Sequence, residues 1–336
     1  MELDARTQTV RMEETFVISR GASDDAEAVV VELRHDGVSG FGEANPIDRY
    51  EESTASALAF LESAGDALGD DPFAFETIEA RLNEHPGERA AKSAVDAALH
   101  DLCGKLTGLP VWKLLGLERA GPPTSWTIWL GDPDDMARRA EKVRGRFKRL
   151  KLKLGGGDGQ DVERVRAVRG VSDVPLQVDV NEFWSLDEAL EALPELKELG
   201  VEYCEQPLPA RSPDGPELKQ RSPLPIYVDE DCLTLEDVAA CAERAHGLTV
   251  KLAKSGGIRE AIRMAHAGRA LGLGLMLGCM NESGLAVAAG AQVASLFDHV
   301  DLDGNLLLVE DPWPGIELVD GVQLPSLEPG LGVRPA

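Results

Sequence analysis

Alternation of apolar and polar positions marks residues 8–44 of the chain. It runs through residues 9–18 and 26–44, and the second run is interrupted at Asp36-Gly37, a dipeptide typical of tight hairpin turns. From Ser53 to Leu117 the period changes, with apolar residues recurring at i, i+3, i+4 and i+7, which predicts helices. We therefore expect an α+β lobe that opens with an antiparallel sheet.

Alternation returns in the rest of the chain, where helical patterns separate most of the alternating segments. Eight segments are strand candidates: TSWTIWL, RLKLKL, LQVDV, VEYCEQ, IYVDE, LTVKLA, LGLMLGC and HVDLDG. The helical pattern is weakest in ARSPDGPELKQRSPL, between the fourth and fifth strands. Eight strands with seven intervening segments predict an α/β fold, a modified TIM barrel of the type (β/α)7β.

The tail after Asp303 is rich in Pro and Gly and has no helical period, so the eighth helix of a full barrel is missing. We expect this tail to return to the first lobe as strands that complete it. The predicted division is a capping domain at residues 1–115, completed by residues 305–336, and a barrel at residues 116–304.

The charge balance narrows the classes of partner. A formal net charge of −25 and a pI near 4.6 would repel nucleic acids and anionic membranes. No apolar run approaches the roughly 20 residues of a membrane span, the N-terminus lacks a signal-peptide pattern, and the five scattered cysteines are typical of reduced thiols. These features predict a cytoplasmic protein with a small-molecule substrate. A homo-oligomer is compatible with the sequence, which does not define the number of subunits.

Five charged residues stand at or just inside the ends of consecutive strand candidates. They are Lys153, Asp179, Glu205, Asp229 and Lys251, at intervals of 26, 26, 24 and 22 residues. Such an interval is one strand plus one crossover helix, so the five side chains should face the same mouth of the barrel.

The three acids in the middle of this series predict a metal site. One acid after a strand is usually a helix cap or a salt-bridge partner, but three on adjacent strands would repel one another unless a cation lay between them. Oxygen ligands with room for water favour Mg²⁺. Asn181 and Glu230 lie beside two of these acids and are candidates for orienting the ligands; a turn residue and a solvated acid are the alternatives.

The lysines predict the chemistry. Lys151 and Lys153 share one face of a strand, the barrel interior, unless the strand is an amphipathic edge. Lys251 lies across the barrel from Lys153. A divalent cation and the additional charges of Lys151 and Lys254 should lower a lysine pKa toward neutrality, as a general base requires; Lys254 is alternatively a solvated loop residue.

Two opposed bases beside a cation predict removal of a proton α to a carboxylate. The metal and Lys151 would stabilise the enediolate, and the second lysine would return a proton to the other face. The expected outcome is racemisation or epimerisation by 1,1-proton transfer.

The motifs KLK, DVN, CEQP, VDED and VKLAKSGG resemble the enolase superfamily, in the branch of the muconate lactonising enzymes. The segment AAKSAVDAALHDLCGKLTGLPVWKLLG is similar to the junction between the capping domain and the barrel in that family. The resemblance leaves dipeptide epimerase, o-succinylbenzoate synthase, N-acylamino acid racemase and cycloisomerase open. The mandelate racemase branch is disfavoured because LGLMLGCMNES contains no His to act as a base.

Two further acids favour one member of this branch. Asp301 and Asp303 lie two apart at the end of the eighth strand, and the DLDG stretch is similar to the DxD motif with which dipeptide epimerases hold the α-ammonium group of the substrate. A loop acid pair that caps a turn is the alternative. The resemblance implies a Mg²⁺-dependent epimerase that inverts the C-terminal residue of a dipeptide, with Ala-Glu from peptidoglycan as the expected substrate.

Selectivity for the substrate side chain is expected from the loop near residues 18–27. The resemblance makes Arg20 the candidate partner of a glutamate side chain, whereas Asp24 and Asp25 on the same loop would favour a neutral or cationic residue. A catalytically silent binding protein is the alternative from another functional class.

Overall fold

The computed structural model describes all 336 residues. The N-terminal lobe opens with an antiparallel sheet in the order β1-β2-β3, formed by β1 (Glu2–Ile18), β2 (Gly21–His35) and β3 (Val38–Ala44). Asp36 and Gly37 connect β2 to β3 with φ values of 49° and 75°, a left-handed geometry that Asp and Gly tolerate. The predicted hairpin is therefore confirmed.

Four helices complete the lobe: α1 (Thr54–Leu68), α2 (Phe75–Asn83), α3 (Arg89–Thr107) and α4 (Val111–Leu114). The α1 helix begins after Ser53, whose hydroxyl accepts a hydrogen bond from the Ser56 N–H at 3.1 Å. A side chain at Gly42 would collide with the main chain of Ala94 in α3. Glycine at this position therefore lets α3 pack directly on the sheet.

Eight parallel strands form the barrel. They are β4 (Trp126–Ile128), β5 (Leu150–Lys153), β6 (Leu176–Asp179), β7 (Val201–Glu205), β8 (Ile226–Val228), β9 (Gly247–Lys251), β10 (Gly274–Gly278) and β11 (His299–Asp301). Neighbours in the chain are neighbours in the sheet, and a parallel bridge between Thr124 and Val300 joins the last strand to the first. All eight strand predictions are confirmed.

Helices cover the outside of the barrel between successive strands. They are α5 (Pro133–Lys142), α6 (Asp161–Val171), α7 (Leu186–Glu198), α8 (Gly215–Arg221), α9 (Val238–Arg244), α10 (Leu252–Ser255), α11 (Ile258–Ala270) and α12 (Gly284–Ala291). The weakest crossover contains the short α8, and only a 3-10 turn, Gly304–Leu307, follows β11. The (β/α)7β architecture is confirmed. No helix combines the length and apolar character needed to cross a membrane.

The C-terminal tail contacts both lobes. Trp313 Nε1 donates to Gln8 Oε1 at 3.0 Å in the N-terminal lobe, and Gly321 O accepts from the Thr124 N–H at 2.8 Å in the barrel. Its strands β12 (Glu317–Val319) and β13 (Val322–Leu324) pair only with each other.

The tail returns to the N-terminal lobe, where Leu308 forms an isolated bridge with Met12 of β1 and Gly330 one with Pro110. Its strands β12 and β13 do not join the sheet of that lobe, and completion of the capping domain by residues 305–336 stays a prediction. Pro312, Pro314 and Pro325 lack the N–H groups that a continuous ladder would need, so the tail forms an isolated hairpin instead. The domain boundaries after residues 115 and 304 stay predictions.

Candidate active site

The five charged residues of the predicted series converge at the carboxyl ends of adjacent strands. Lys153, Asp179, Glu205 and Lys251 are the last residues of β5, β6, β7 and β9, and Asp229 directly follows β8. In the sheet register Asp179 pairs with both Lys153 and Glu205, so these side chains lie at one level. Each of the five residues is at least 92 % buried, so their charges act mainly on one another.

The lysines and carboxylates of the cluster are in direct contact. Lys153 Nζ lies 2.6 Å from Asp179 Oδ2, and Lys251 Nζ lies 2.8 Å from Asp229 Oδ2. Lys151 Nζ lies between two acids, 2.6 Å from Glu205 Oε2 and 3.4 Å from Asp179 Oδ2. In this arrangement no three His, Cys, Asp or Glu side chains are gathered as a ready set of metal ligands.

The acids nevertheless fit a hard divalent cation. Both carboxylate oxygens of Glu205 and Oδ1 of Asp229 are buried without a hydrogen-bond partner, although ammonium groups lie at ion-pair distance. Burial and the charge of Asp179 raise the pKa of Glu205, so this carboxylate is poorly stabilised by its protein neighbours. Oxygen atoms that lack donors suit the coordination of Mg²⁺.

The pKa values of Lys251 and Lys151 are shifted in the direction opposite to the one expected from the sequence. Burial by itself would lower the pKa of Lys251, but the charges of Asp229, Glu205 and Glu230 together outweigh burial and raise the pKa above its ordinary value. The same balance, with Asp301 as the strongest partner, raises the pKa of Lys151. Lowered lysine pKa values were expected from the neighbouring cations alone, without the effect of these carboxylates. A bound divalent cation would offset the negative charge of the carboxylates.

Lys254 is not a solvated loop residue. It is 1 % exposed, and its ammonium group donates to the carbonyl oxygens of Asp229, Cys232 and Thr249 at 2.5, 2.8 and 2.9 Å. Its Nζ also lies 2.6 Å from Asp229 Oδ1. Lys254 therefore ties the loop after β8 to β9 and holds Asp229 in place.

Asn181 and Glu230 both lie against the acid cluster. The Asn181 N–H donates to Asp179 Oδ1 at 3.0 Å, and its own Oδ1 is buried without a partner. Glu230 is 5 % exposed, and burial together with the charge of Asp229 raises its pKa to about 7. Neither residue is the solvent-exposed group that was the alternative interpretation.

Sequence reasoning missed one residue that orders this region. Gln206 follows Glu205, and its Oε1 accepts hydrogen bonds from the N–H groups of Asp229 and Glu230 at 2.8 and 3.0 Å. Its φ of 37° turns the chain sharply after β7. The only signal was its place in the CEQP motif, directly after a strand-terminal acid.

Asp301 and Asp303 lie at the mouth of the barrel. Asp301 Oδ2 is 2.8 Å from Lys151 Nζ, while Asp303 Oδ2 accepts from the Thr127 N–H at 2.6 Å. Burial and the charge of Asp301 raise the pKa of Asp303 to about 7. Asp303 has no cationic side chain in contact, so it can receive a positive group of a ligand.

A cavity of ≈ 680 Å³ lies between the barrel mouth and the N-terminal lobe. Its lining on the barrel side includes Lys153, Lys251, Asp301 and Asp303, and Arg20 lines it from the turn between β1 and β2. Arg20 is already engaged, because its Nη1 lies 2.7 Å from Glu230 Oε1 and 3.1 Å from Glu182 Oε2. The cavity is thus lined by seven of the predicted site residues: Arg20, Lys151, Lys153, Asn181, Lys251, Asp301 and Asp303. The carboxylates of Asp179, Glu205 and Asp229 do not line it but lie against its lysines.

Comparison with known proteins agrees with this geometry. Residues 2–116 match the mandelate racemase / muconate lactonizing enzyme N-terminal domain, and residues 135–336 match the enolase C-terminal domain-like family. The L-Ala-D/L-Glu epimerase of Bacteroides thetaiotaomicron is 37% identical over 96% of this chain and 85% of that protein. The hydrophobic dipeptide epimerase of Roseobacter litoralis is 35% identical over 99% of this chain and 98% of that protein.

Solved structures give the same result. A dipeptide epimerase from Enterococcus faecalis, complexed with Mg and L-Leu-L-Tyr, superposes with a TM-score of 0.93 at 30% identity, covering 99% of this chain and 98% of that one. The L-Ala-D/L-Glu epimerase from Bacillus subtilis, in a substrate-liganded complex, has a TM-score of 0.94 at 29% identity, covering 100% of this chain and 99% of that one. The chain belongs to the enolase superfamily, in the group of the mandelate racemases and muconate lactonizing enzymes.

Proposed function

We propose that the protein is a Mg²⁺-dependent dipeptide epimerase that inverts the α-carbon of the C-terminal residue. The observation that carries the proposal is the pair of buried lysines on opposite strands of the barrel, Lys153 on β5 and Lys251 on β9, with three carboxylates between them. An amine on each side of one carbon can remove a proton from one face and return a proton to the other.

The acids and lysines of the cluster would have separate roles in the reaction. Asp179, Glu205 and Asp229 would hold Mg²⁺, which when bound polarises the substrate carboxylate and acidifies the α-proton. One of Lys153 and Lys251 begins the reaction as the neutral base and the other as the protonated acid. The Lys151 ammonium group, buried beside them, stabilises the negative charge of the enediolate.

The acids at the end of β11 support a dipeptide over the other substrates of the family. Asp301 and Asp303 place negative charge at the cavity wall beside the reacting centre, where the α-ammonium group of a dipeptide would bind. A succinylbenzoate precursor, an N-acylamino acid or a muconate has no α-ammonium group to offer these carboxylates. The second candidate, one of those reactions on the same scaffold, is therefore disfavoured.

L-Ala-L-Glu, a dipeptide of peptidoglycan, is the reference substrate for testing the proposal. Relatives named L-Ala-D/L-Glu epimerase are 37% and 36% identical to this chain, although others of similar identity are named for hydrophobic dipeptides. A cytoplasmic location would give the enzyme access to recycled wall fragments. The net charge of −25 supports a small-molecule ligand and argues against nucleic acid.

The stereochemical test uses D₂O and a panel of L-alanyl dipeptides. The wild-type enzyme should place deuterium on the C-terminal α-carbon as that carbon inverts, which mass spectrometry and chiral chromatography both detect. K153A and K251A should each lose inversion, and each should retain exchange with only one of the two epimers, because one base still serves one face. K142A, which changes a lysine with 69 % side-chain exposure, is the matched control.

Three results would contradict the proposal. An enzyme inert toward the whole dipeptide panel would refute epimerisation, and full activity of K153A or K251A would remove that lysine from the mechanism. A calorimetric titration without Mg²⁺ binding would instead favour a catalytically silent barrel.

A further inference from the structure

Two arginines of the N-terminal lobe, Arg20 and Arg49, line the cavity, and both form ion pairs with acids of the barrel. Arg20 Nη1 contacts Glu230 and Glu182, as described above. Arg49 makes a paired interaction with Glu182, in which its Nε and Nη2 donate to Oε2 and Oε1, each at 2.7 Å. The side chains of Glu182 and Glu230 are only 12 % and 1 % exposed, whereas those of Arg20 and Arg49 keep 32 % and 37 % of their surface in solvent, so the carboxylate side of each contact is the buried one. Two guanidinium charges are therefore matched by two carboxylates within the protein.

Acids without partners remain on the same wall of the cavity. Asp25 and Asp48 both line it, and neither side chain forms a hydrogen bond or an ion pair within the chain. Glu27 lines it as well and accepts a hydrogen bond only from the uncharged Thr54 hydroxyl, at 3.0 Å. The charges of Arg20 and Arg49 are cancelled by Glu182 and Glu230. The side of the cavity formed by the N-terminal lobe therefore keeps the net negative charge of Asp25, Glu27 and Asp48.

The position of the substrate decides which group meets this wall. The reacting α-carbon must lie between Lys153 and Lys251. Its carboxylate must face the three acids of the cluster, at the carboxyl ends of β6, β7 and β8. The peptide runs toward Asp301 and Asp303, where its ammonium group binds. The side chain of the C-terminal residue is the remaining substituent, and it extends toward the N-terminal lobe.

From this charge distribution we infer that the epimerised residue carries a cationic side chain, lysine or arginine, and that glutamate is disfavoured. The inference rests on the proposed epimerase function and deepens it by naming the substrate class. Arg20, the expected partner of a glutamate side chain, acts instead as a link between the N-terminal lobe and the barrel. Because the acids are exposed to solvent, we expect each of them to change kcat/KM by at most about fivefold at low salt, raising it for a cationic and lowering it for an anionic side chain. Both effects should decrease as salt screens the charges.

The test compares L-Ala-L-Lys, L-Ala-L-Leu and L-Ala-L-Glu as substrates of the Mg²⁺-loaded wild-type enzyme. We expect kcat/KM to decrease in that order and the spread to narrow when the salt is raised to about 1 M, where the Debye length is roughly 3 Å. The neutral leucine substrate separates attraction of a cation from repulsion of an anion. A wild-type kcat/KM for L-Ala-L-Glu equal to or above that for L-Ala-L-Lys overturns the inference and leaves the epimerase function intact.

Matched variants locate the selectivity. In the double variant D25N/D48N the ratio of kcat/KM for L-Ala-L-Lys over L-Ala-L-Glu should fall about tenfold or more. D24N is the control, because Asp24 accepts from the Thr15 hydroxyl at 2.6 Å and does not line the cavity. An equal loss in D24N and in the double variant would attribute the effect to overall charge and overturn the inference. Absence of turnover with all three dipeptides would refute the epimerase proposal itself.

Discussion

Replacing Asp303 by Asn tests the assignment of the ammonium site with little disturbance of the fold. The side chain is 3 % exposed, and its Oδ2 accepts from the Thr127 N–H at 2.6 Å. The amide oxygen of Asn can keep that hydrogen bond, so the barrel closure near β4 stays intact. What D303N removes is the negative charge that would face the substrate ammonium group.

The expected loss follows from the lack of a competing cation. Lys151 pairs with Asp301 at 2.8 Å, whereas Asp303 has no lysine or arginine in contact. Hydrogen bonds that involve a charged group contribute about 1.5 to 3 kcal/mol, so kcat/KM should fall roughly 10- to 150-fold. Polarimetry or chiral chromatography of an L-alanyl dipeptide measures this loss.

A substrate without the ammonium group completes the comparison. For the N-propanoyl analogue of the same C-terminal residue, D303N should change kcat/KM by less than about threefold, because the interaction is already absent. Equal losses on the dipeptide and on the analogue would refute the reasoning and assign Asp303 a purely structural role.

Two other predictions concern pH and stability. Asp303 must be ionised to bind the ammonium group, and its pKa is about 7, so kcat/KM should increase as the pH rises through about 7. D303N should lose that increase, and an unchanged pH profile in D303N would contradict it. K254M removes one of the two ammonium partners of Asp229 and the buried donor to three carbonyls, and should lower the free energy of unfolding by about 3–5 kcal/mol. Urea denaturation measures this against K142M at the surface; a loss below about 1 kcal/mol would show that Lys254 is not a structural link.

Much of the architecture could be predicted because strands and helices have different periods. The alternation in segments such as RLKLKL and LTVKLA correctly located β5 and β9, and the missing helical period after Asp303 correctly predicted the absent eighth helix. The spacing from Lys153 to Lys251 placed five charged residues at one end of the barrel. These features depend on local geometry, which a single chain segment already specifies.

Contacts between distant segments could not be predicted in this way. Arg20 and Glu230 are 210 residues apart, and nothing in their local sequence shows that they pair and thereby remove Arg20 as a free cation. The direction of the lysine pKa shifts likewise depends on which carboxylates come within 3 Å of each ammonium group.

The fold class and the chemical inventory of the site were therefore present in the linear pattern of residues. Tertiary structure decided which charges neutralise each other, that Lys254 is a buried link, and that the tail hairpin stays apart from the first sheet. The physical reason is that periodicity specifies the face on which a side chain lies, whereas ion pairing and burial depend on which faces the folded chain brings together.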